Sequence, residues 1–203
     1  MSSADPSVAV VVLTRSVPSA QPIAINAVVR AAAHVGTTPY YHAWEPIDAN
    51  RNLVVEGFLA NTDLRWLVMT DDDIVPSVDA FELLIDPAAP VCFAPVPIII
   101  GTPPRLVANV RRSKAAGWLP WPVDPSLGMF EVESAGTGLV AIRRDALEAI
   151  PPPWFRSDAT QTEDIYFCRR VREVGIVLHA RADVQCDHCK AITLASFARM
   201  LSR

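Results

Sequence analysis

Residues Val8–Leu13 form an unbroken apolar run closed by Thr14-Arg15-Ser16, which predicts a strand covered on both faces. Beyond it, Ile23, Ala27, Val28, Ala31, Ala32 and Val35 recur three and four positions apart up to Gly36, the pattern of an amphipathic helix. Tyr40–Trp44 predicts a second strand. Asp48 stands where an N-cap would open a helix from about 49 to 61, with Leu53, Val54, Gly57 and Phe58 inward. Trp66–Met69 predicts a third strand, followed by the acids Asp71-Asp72-Asp73 and a short helix around 79–85. This β-α-β-α-β alternation predicts an α/β fold: a Rossmann-like, mainly parallel central sheet flanked by helices, with 66–69 in its interior.

The pattern changes after residue 90. Val91–Val96 and Ile98–Ile100 have strand character, but Pro90, Pro95, Pro97, Pro103 and Pro104 punctuate them, which suits edges and loops. Residues 111–126 carry Arg111, Arg112, Lys114, Trp118 and Trp121 among prolines and a glycine. Such a stretch is a long loop, either a functional lid or a disordered insertion. Leu139–Ile142 predicts a strand, preceded by Ser134-Ala135-Gly136-Thr137-Gly138, and Pro151–Phe155 a stiff connector. Thr162-Glu163-Asp164 opens a helix, with Thr162 or Thr160 to cap it, apolar positions Ile165, Cys168, Val171 and Val174, and Gly175 to close it. Two short strands at 176–178 and 182–186 lead to Asp187-His188, and a last helix is expected over 191–201.

Composition narrows the class. A chain of 203 residues, 51% hydrophobic and 20% charged, has the size and make-up of one globular domain. The net charge of −4 does not indicate a nucleic-acid partner. No apolar stretch reaches the roughly 18 residues of a membrane span, and the start lacks a basic leader, so a cytoplasmic location is expected. The four cysteines are expected to be reduced thiols. The first loop has no Gly-x-Gly-x-x-Gly, so the dinucleotide fingerprint is missing.

Three groups of residues carry candidate chemistry. Asp71-Asp72-Asp73 follows a predicted buried strand, where open α/β sheets place ligands, and three adjacent carboxylates call for a cation. Solvated capping acids account for one or two of them. Glu163-Asp164 lies in a first helical turn, where acids are ordinary and a catalytic role is the alternative. Cys186-Asp187-His188-Cys189 offers an imidazole, whereas structural zinc normally needs a second cysteine knuckle, which the chain does not have.

Taken in this order, these pieces resemble the nucleotide-sugar glycosyltransferases of the GT-A fold, close to the family 2 type, over nearly the whole chain. The resemblance rests on Val8–Leu13, Asn50-Arg51-Asn52, Trp66–Asp73, Ser134–Arg144, Thr162–Arg170 and Asp187-His188. It implies one domain over 1–203, with a nucleotide-binding half (1–100) and an acceptor and catalytic half (101–203), and no separate acceptor module. It implies a Mn²⁺ or Mg²⁺ ion held by Asp73 and His188, which must then meet in space, with Asp71 reaching the metal shell or the ribose. Thr14, Arg15, Arg51, Asp71, Asp72, Gly136, Thr137 and Gly138 fall on donor-binding positions for a UDP- or GDP-linked sugar. Asp164, with Glu163 as neighbour or substitute, falls on the general base of inverting members. Trp118 and Trp121 are expected on the acceptor side. The rival readings are a nucleotide- or carbohydrate-binding module of the same fold without catalysis, and a haloacid-dehalogenase-type phosphatase. In the latter Asp71 is the nucleophile and Asp73 the acid/base, but that motif normally ends a first strand, and here two βα units precede it.

Overall fold

The computed structural model describes residues 7–14 and 21–190. Arg15 and the expected helix over 191–201 lie outside the described residues. In chain order the elements begin with β1 (Val8–Thr14), α1 (Pro22–His34), β2 (Pro39–Ala43), α2 (Ile47–Asn61), β3 (Trp66–Asp71) and β4 (Ile74–Pro76). Then come α3 (Ala80–Leu84), β5 (Val91–Phe93), β6 (Pro97–Ile100), β7 (Arg105–Ala108), β8 (Val110–Arg111), β9 (Met129–Val132) and β10 (Ser134–Ala135). The last are β11 (Leu139–Arg143), α4 (Arg144–Glu148), α5 (Glu163–Glu173), β12 (Leu178–Arg181) and β13 (Cys186–His188).

Seven strands form the central sheet in the order β2-β1-β3-β11-β5-β12-β9. Strands β2, β1, β3, β5 and β12 run one way, while β11 and β9 run against them. The expected α/β architecture is therefore present, with β3 interior between β1 and β11. The apolar run of β1 explains the layering, because its alternate residues serve two cores. Ala9, Val11 and Leu13 pack with Val54, Val55 and Phe58 of α2 and Phe167 and Val171 of α5. Val8, Val10 and Val12 pack with Val28, Ala31 and Ala32 of α1 and Phe81 and Leu84 of α3. Each buried Val, Leu or Phe among them stabilises the fold by about 1.5–3 kcal/mol.

Several local expectations are corrected. Pro46, not Asp48, is the N-cap of α2; Asp48 sits in the first turn and accepts hydrogen bonds from the N–H groups of Ala49 and Ser157. Leu53 is exposed and Ile23 more so, because the inward face of α2 is shared with buried Asn50 and Arg51, and that of α1 is led by Ala24. Thr162 is the N-cap of α5, but its hydroxyl donates to the Asp164 carboxylate and makes no capping hydrogen bond, and that of Thr160 donates to Asp158. The helix buries Tyr166, Phe167, Cys168 and Val171 and leaves Val174 exposed. The two short strands expected at 176–178 and 182–186 are present as β12 and β13, each displaced a few residues toward the end of the chain.

The stretch 111–126 is neither free of structure nor detached. The Leu119 N–H donates to the Val110 carbonyl and the Leu119 carbonyl accepts from Ala108, so the segment returns along β7 and β8. A 3₁₀ turn at Pro125–Leu127 then leads into β9.

Two details of topology assemble the site. Because β11 runs antiparallel to β3, pairing Leu139 with Thr70, its N-terminal approach lies beside the C-terminal end of β3. Because β13 pairs with β4, matching His188 to Ile74, the far end of the chain returns to the turn after β3.

Candidate active site

The three acids occupy the end of β3 and the turn into β4, and the backbone fixes each one. The Asp71 N–H donates to the Gly138 carbonyl, the Asp72 N–H to Leu13, and the Asp73 carbonyl accepts from Cys189. Their side chains then diverge. Asp71 pairs with Arg51 (Nη2 to Oδ1, 2.9 Å), Asp72 accepts from the Thr14 hydroxyl (2.5 Å), and Asp73 meets the late segment.

There, His188 Nε2 lies 3.2 Å from Asp73 Oδ2 although 115 positions separate the two residues. His188 Nδ1 lies 2.8 Å from the Pro97 carbonyl, to which it donates. That bond orients the ring and leaves Nε2 to face the carboxylate, the arrangement that second-shell partners impose on metal-binding histidines. Lys190 Nζ, 2.6 Å from the same oxygen, adds a second positive neighbour. Burial opposes charge on Asp73, but the hydrogen bonds from His188 and Lys190 outweigh it and hold the carboxyl below its ordinary value. Burial likewise opposes charge on His188, and the bonds to Asp73 and Pro97 outweigh it, raising its pKa. Among the described residues no group of three or more His, Cys, Asp or Glu side chains encloses a cation site. One carboxylate and one oriented imidazole suit a cation that takes its remaining ligands from a bound substrate.

Arg51 is the hub of the other half. It is 2% exposed, and its guanidinium reaches Asp71, the Thr137 carbonyl (3.3 Å) and Glu163 Oε1 (3.7 Å). It thereby ties α2 to the ends of β3 and α5. Arg51, expected against the nucleotide, lies between two carboxylates and lines the same cleft as Asp71 and Glu163. Burial raises the pKa of both Asp71 and Glu163, with Arg51 pulling each the other way. Replacing Arg51 by Met is expected to destabilise the fold by about 3–5 kcal/mol in a denaturant titration, since it strands two nearby carboxylates. A loss under about 0.5 kcal/mol would show that water already serves them.

A cleft of about 990 Å³ gathers much of this set, with Asp71, Gly136, Thr137, Gly138, Glu163, Asp164 and His188 on its walls. Asp164 accepts from the Thr162 hydroxyl and, at 2.7 Å, from the Ile165 N–H, both at Oδ1. The Thr137 hydroxyl is buried and has no hydrogen-bond partner. Gly136 is required for close approach: a Cβ there would lie 2.7 Å from Asn109 Nδ2, on a side chain held by the Val96 N–H and the Gly136 carbonyl. That glycine thus fits β10 against Asn109 as well as lining the cleft.

Not every expected residue converges. Thr14 and Asp72 bond each other and are not among the cleft's lining residues; Asp73 does not line it either but adjoins it through His188, which does. Trp118 does line it, but Trp121 packs against the core that α2 and α5 share and is not among the lining residues. The cleft also recruits Asn109, Arg111, Glu133, Arg169 and Arg172, none of which the sequence reading named as a site residue. Only the i, i+4, i+8 spacing of Asp164, Cys168 and Arg172 along one helix face carried a signal for them.

No protein-family model and no curated protein sequence matches the chain. Solved structures do. A197 from STIV superposes with a TM-score of 0.64 at 17% identity, over 91% of this chain and 86% of that one. GalNAc-T7, crystallised with UDP, GalNAc and Mn²⁺, matches with a TM-score of 0.56 at 12% identity, over 96% of this chain and 47% of that one. A glycosyltransferase involved in the glycosylation of the major capsid of PBCV-1 matches at 0.52 and 14% identity, over 97% and 99%. The fold is therefore GT-A-like, as the ordered motifs implied.

Proposed function

We propose that this chain transfers a sugar from a UDP- or GDP-linked donor to an acceptor hydroxyl, with Mn²⁺ or Mg²⁺ bound and with inversion at the anomeric carbon. The observation that carries the reading is the meeting of Asp73 and His188 at 3.2 Å beside a cleft that also holds Asp164. A phosphatase needs no such histidine, and nothing in the site favours it.

Asp73 Oδ2 and His188 Nε2 are the groups to hold the cation. When bound, the cation supplies the positive charge against which a nucleoside diphosphate departs. Arg51 orients Asp71 and Glu163 from the cleft wall. The unpartnered Thr137 hydroxyl and the Gly136–Gly138 backbone are suited to the donor's polar groups. Asp164 keeps Oδ1 engaged by Thr162 and Ile165, which leaves Oδ2 to accept the acceptor's proton. As the acceptor oxygen bonds to the anomeric carbon, the bond to the diphosphate oxygen breaks and the diphosphate leaves with the electron pair.

The direct test is thermal stability with UDP or GDP. Either nucleotide should raise the melting temperature in Mn²⁺ and much less in chelator. An equal rise without a divalent cation, or none with either nucleotide, would refute the assignment of the donor site. No helix among the described residues is long and apolar enough to cross a membrane.

A further inference from the structure

Arg111 ends β8 opposite Ser134 of β10 and stands on the cleft wall. Its guanidinium lies over the Trp118 ring, with Cζ 3.6 Å from the ring centroid. Its Nε is buried and has no hydrogen-bond partner, and no carboxylate pairs with it among the described residues. The nearby acid, Glu133, is occupied elsewhere: it accepts the Lys114 N–H and pairs with Arg172 at 3.7 Å. Arg169 is likewise matched to Glu173 at 2.8 Å. Arg111 is thus an arginine fixed by stacking instead of by an ion pair, and both it and Lys114 line the cleft. A buried donor without a partner costs about 1–3 kcal/mol, and a charged one more, unless a ligand meets it. A guanidinium so held matches a carboxylate or phosphate through two parallel hydrogen bonds.

Resting on the transfer reading above, we infer that the acceptor carries an oxyanion, a phosphate or a carboxylate, which Arg111, stacked on Trp118 and assisted by Lys114, binds. Ala135 of β10, next to the Ser134 that pairs with Arg111, meets α5 at Cys168 (3.4 Å), one turn along the helix from Asp164, so Arg111 and Asp164 face one cleft. The Arg111–Trp118 stack covers one face of the indole, so Trp118 acts here as a platform for the arginine.

The test needs no donor, so it stands or falls separately from the transfer reaction. In ¹⁵N-labelled protein the Arg111 Nε–H signal, assigned by its disappearance in Arg111→Met, is followed while methyl phosphate, acetate or methanol is added. A saturable shift with methyl phosphate or acetate and none with methanol is expected, and the tighter of the two names the acceptor's anion. Lys114→Met, which keeps the arginine signal, should weaken that binding several-fold. No saturable shift with either anion overturns the inference. So does an equal shift on adding UDP with Mn²⁺, which would assign Arg111 to the donor's diphosphate.

Discussion

Asp164→Asn should lower turnover by a factor on the order of 10²–10⁴ while the affinity for the nucleoside diphosphate barely changes. Asparagine keeps the shape of the side chain and an oxygen for the Ile165 N–H, which donates at 2.7 Å. What it removes is the basic oxygen facing the cleft. Glu163 is the internal control. Its carboxylate is half-buried against Arg51, and burial raises its pKa, so Glu163→Gln should disturb the Arg51 cluster and stability more than the proton transfer. If Glu163→Gln abolished turnover and Asp164→Asn left it intact, the roles would be exchanged. Because a base on the acceptor side serves in-line displacement, proton NMR of the product should show an inverted anomeric configuration.

Asp73→Ala should abolish Mn²⁺-dependent binding of UDP or GDP. It removes the one carboxylate that His188 faces, leaving an imidazole alone against the cation. The fold should survive, because β4 and β13 are held together by their backbone pairing of Ile74 with His188 and Val75 with Asp187. Side-chain loss at this part-exposed position also frees Lys190 from its 2.6 Å contact. Titration calorimetry with Mn²⁺ and nucleotide, alongside circular dichroism to verify folding, reads the effect. Undiminished Mn²⁺-dependent binding in a folded Asp73→Ala protein would remove Asp73 from the metal assignment.

The sheet was legible where burial dictated it. The unbroken run of β1 and the strand ending at Asp71 announce themselves because both faces are covered, and the helices between them because their apolar spacing is regular. Legibility failed where polar residues are buried. Asn50 and Arg51 belong to the inner face of α2 because their side chains bond the ends of β1 and β3, which no hydrophobic pattern encodes. It failed again at 111–126, whose order comes from pairing with β7 and β8 rather than from any local period. The meeting of Asp73 with His188 was expected only through the family resemblance. Its cause, the β4–β13 ribbon, is two short strands far apart in sequence. The unpaired state of Arg111 is likewise a property of its surroundings, invisible in a chain where arginines are common.

The central claim is donor cleavage in this cleft, and the most direct measurement is phosphorus NMR of UDP- and GDP-sugars incubated with the protein. At least one donor should release its nucleoside diphosphate in Mn²⁺ or Mg²⁺, chelator should stop the release, and Asp73→Ala should abolish it. Nucleotide that binds in a metal-dependent way with every donor left intact, even with phosphorylated and carboxylated acceptors supplied, would contradict it and leave a binding module.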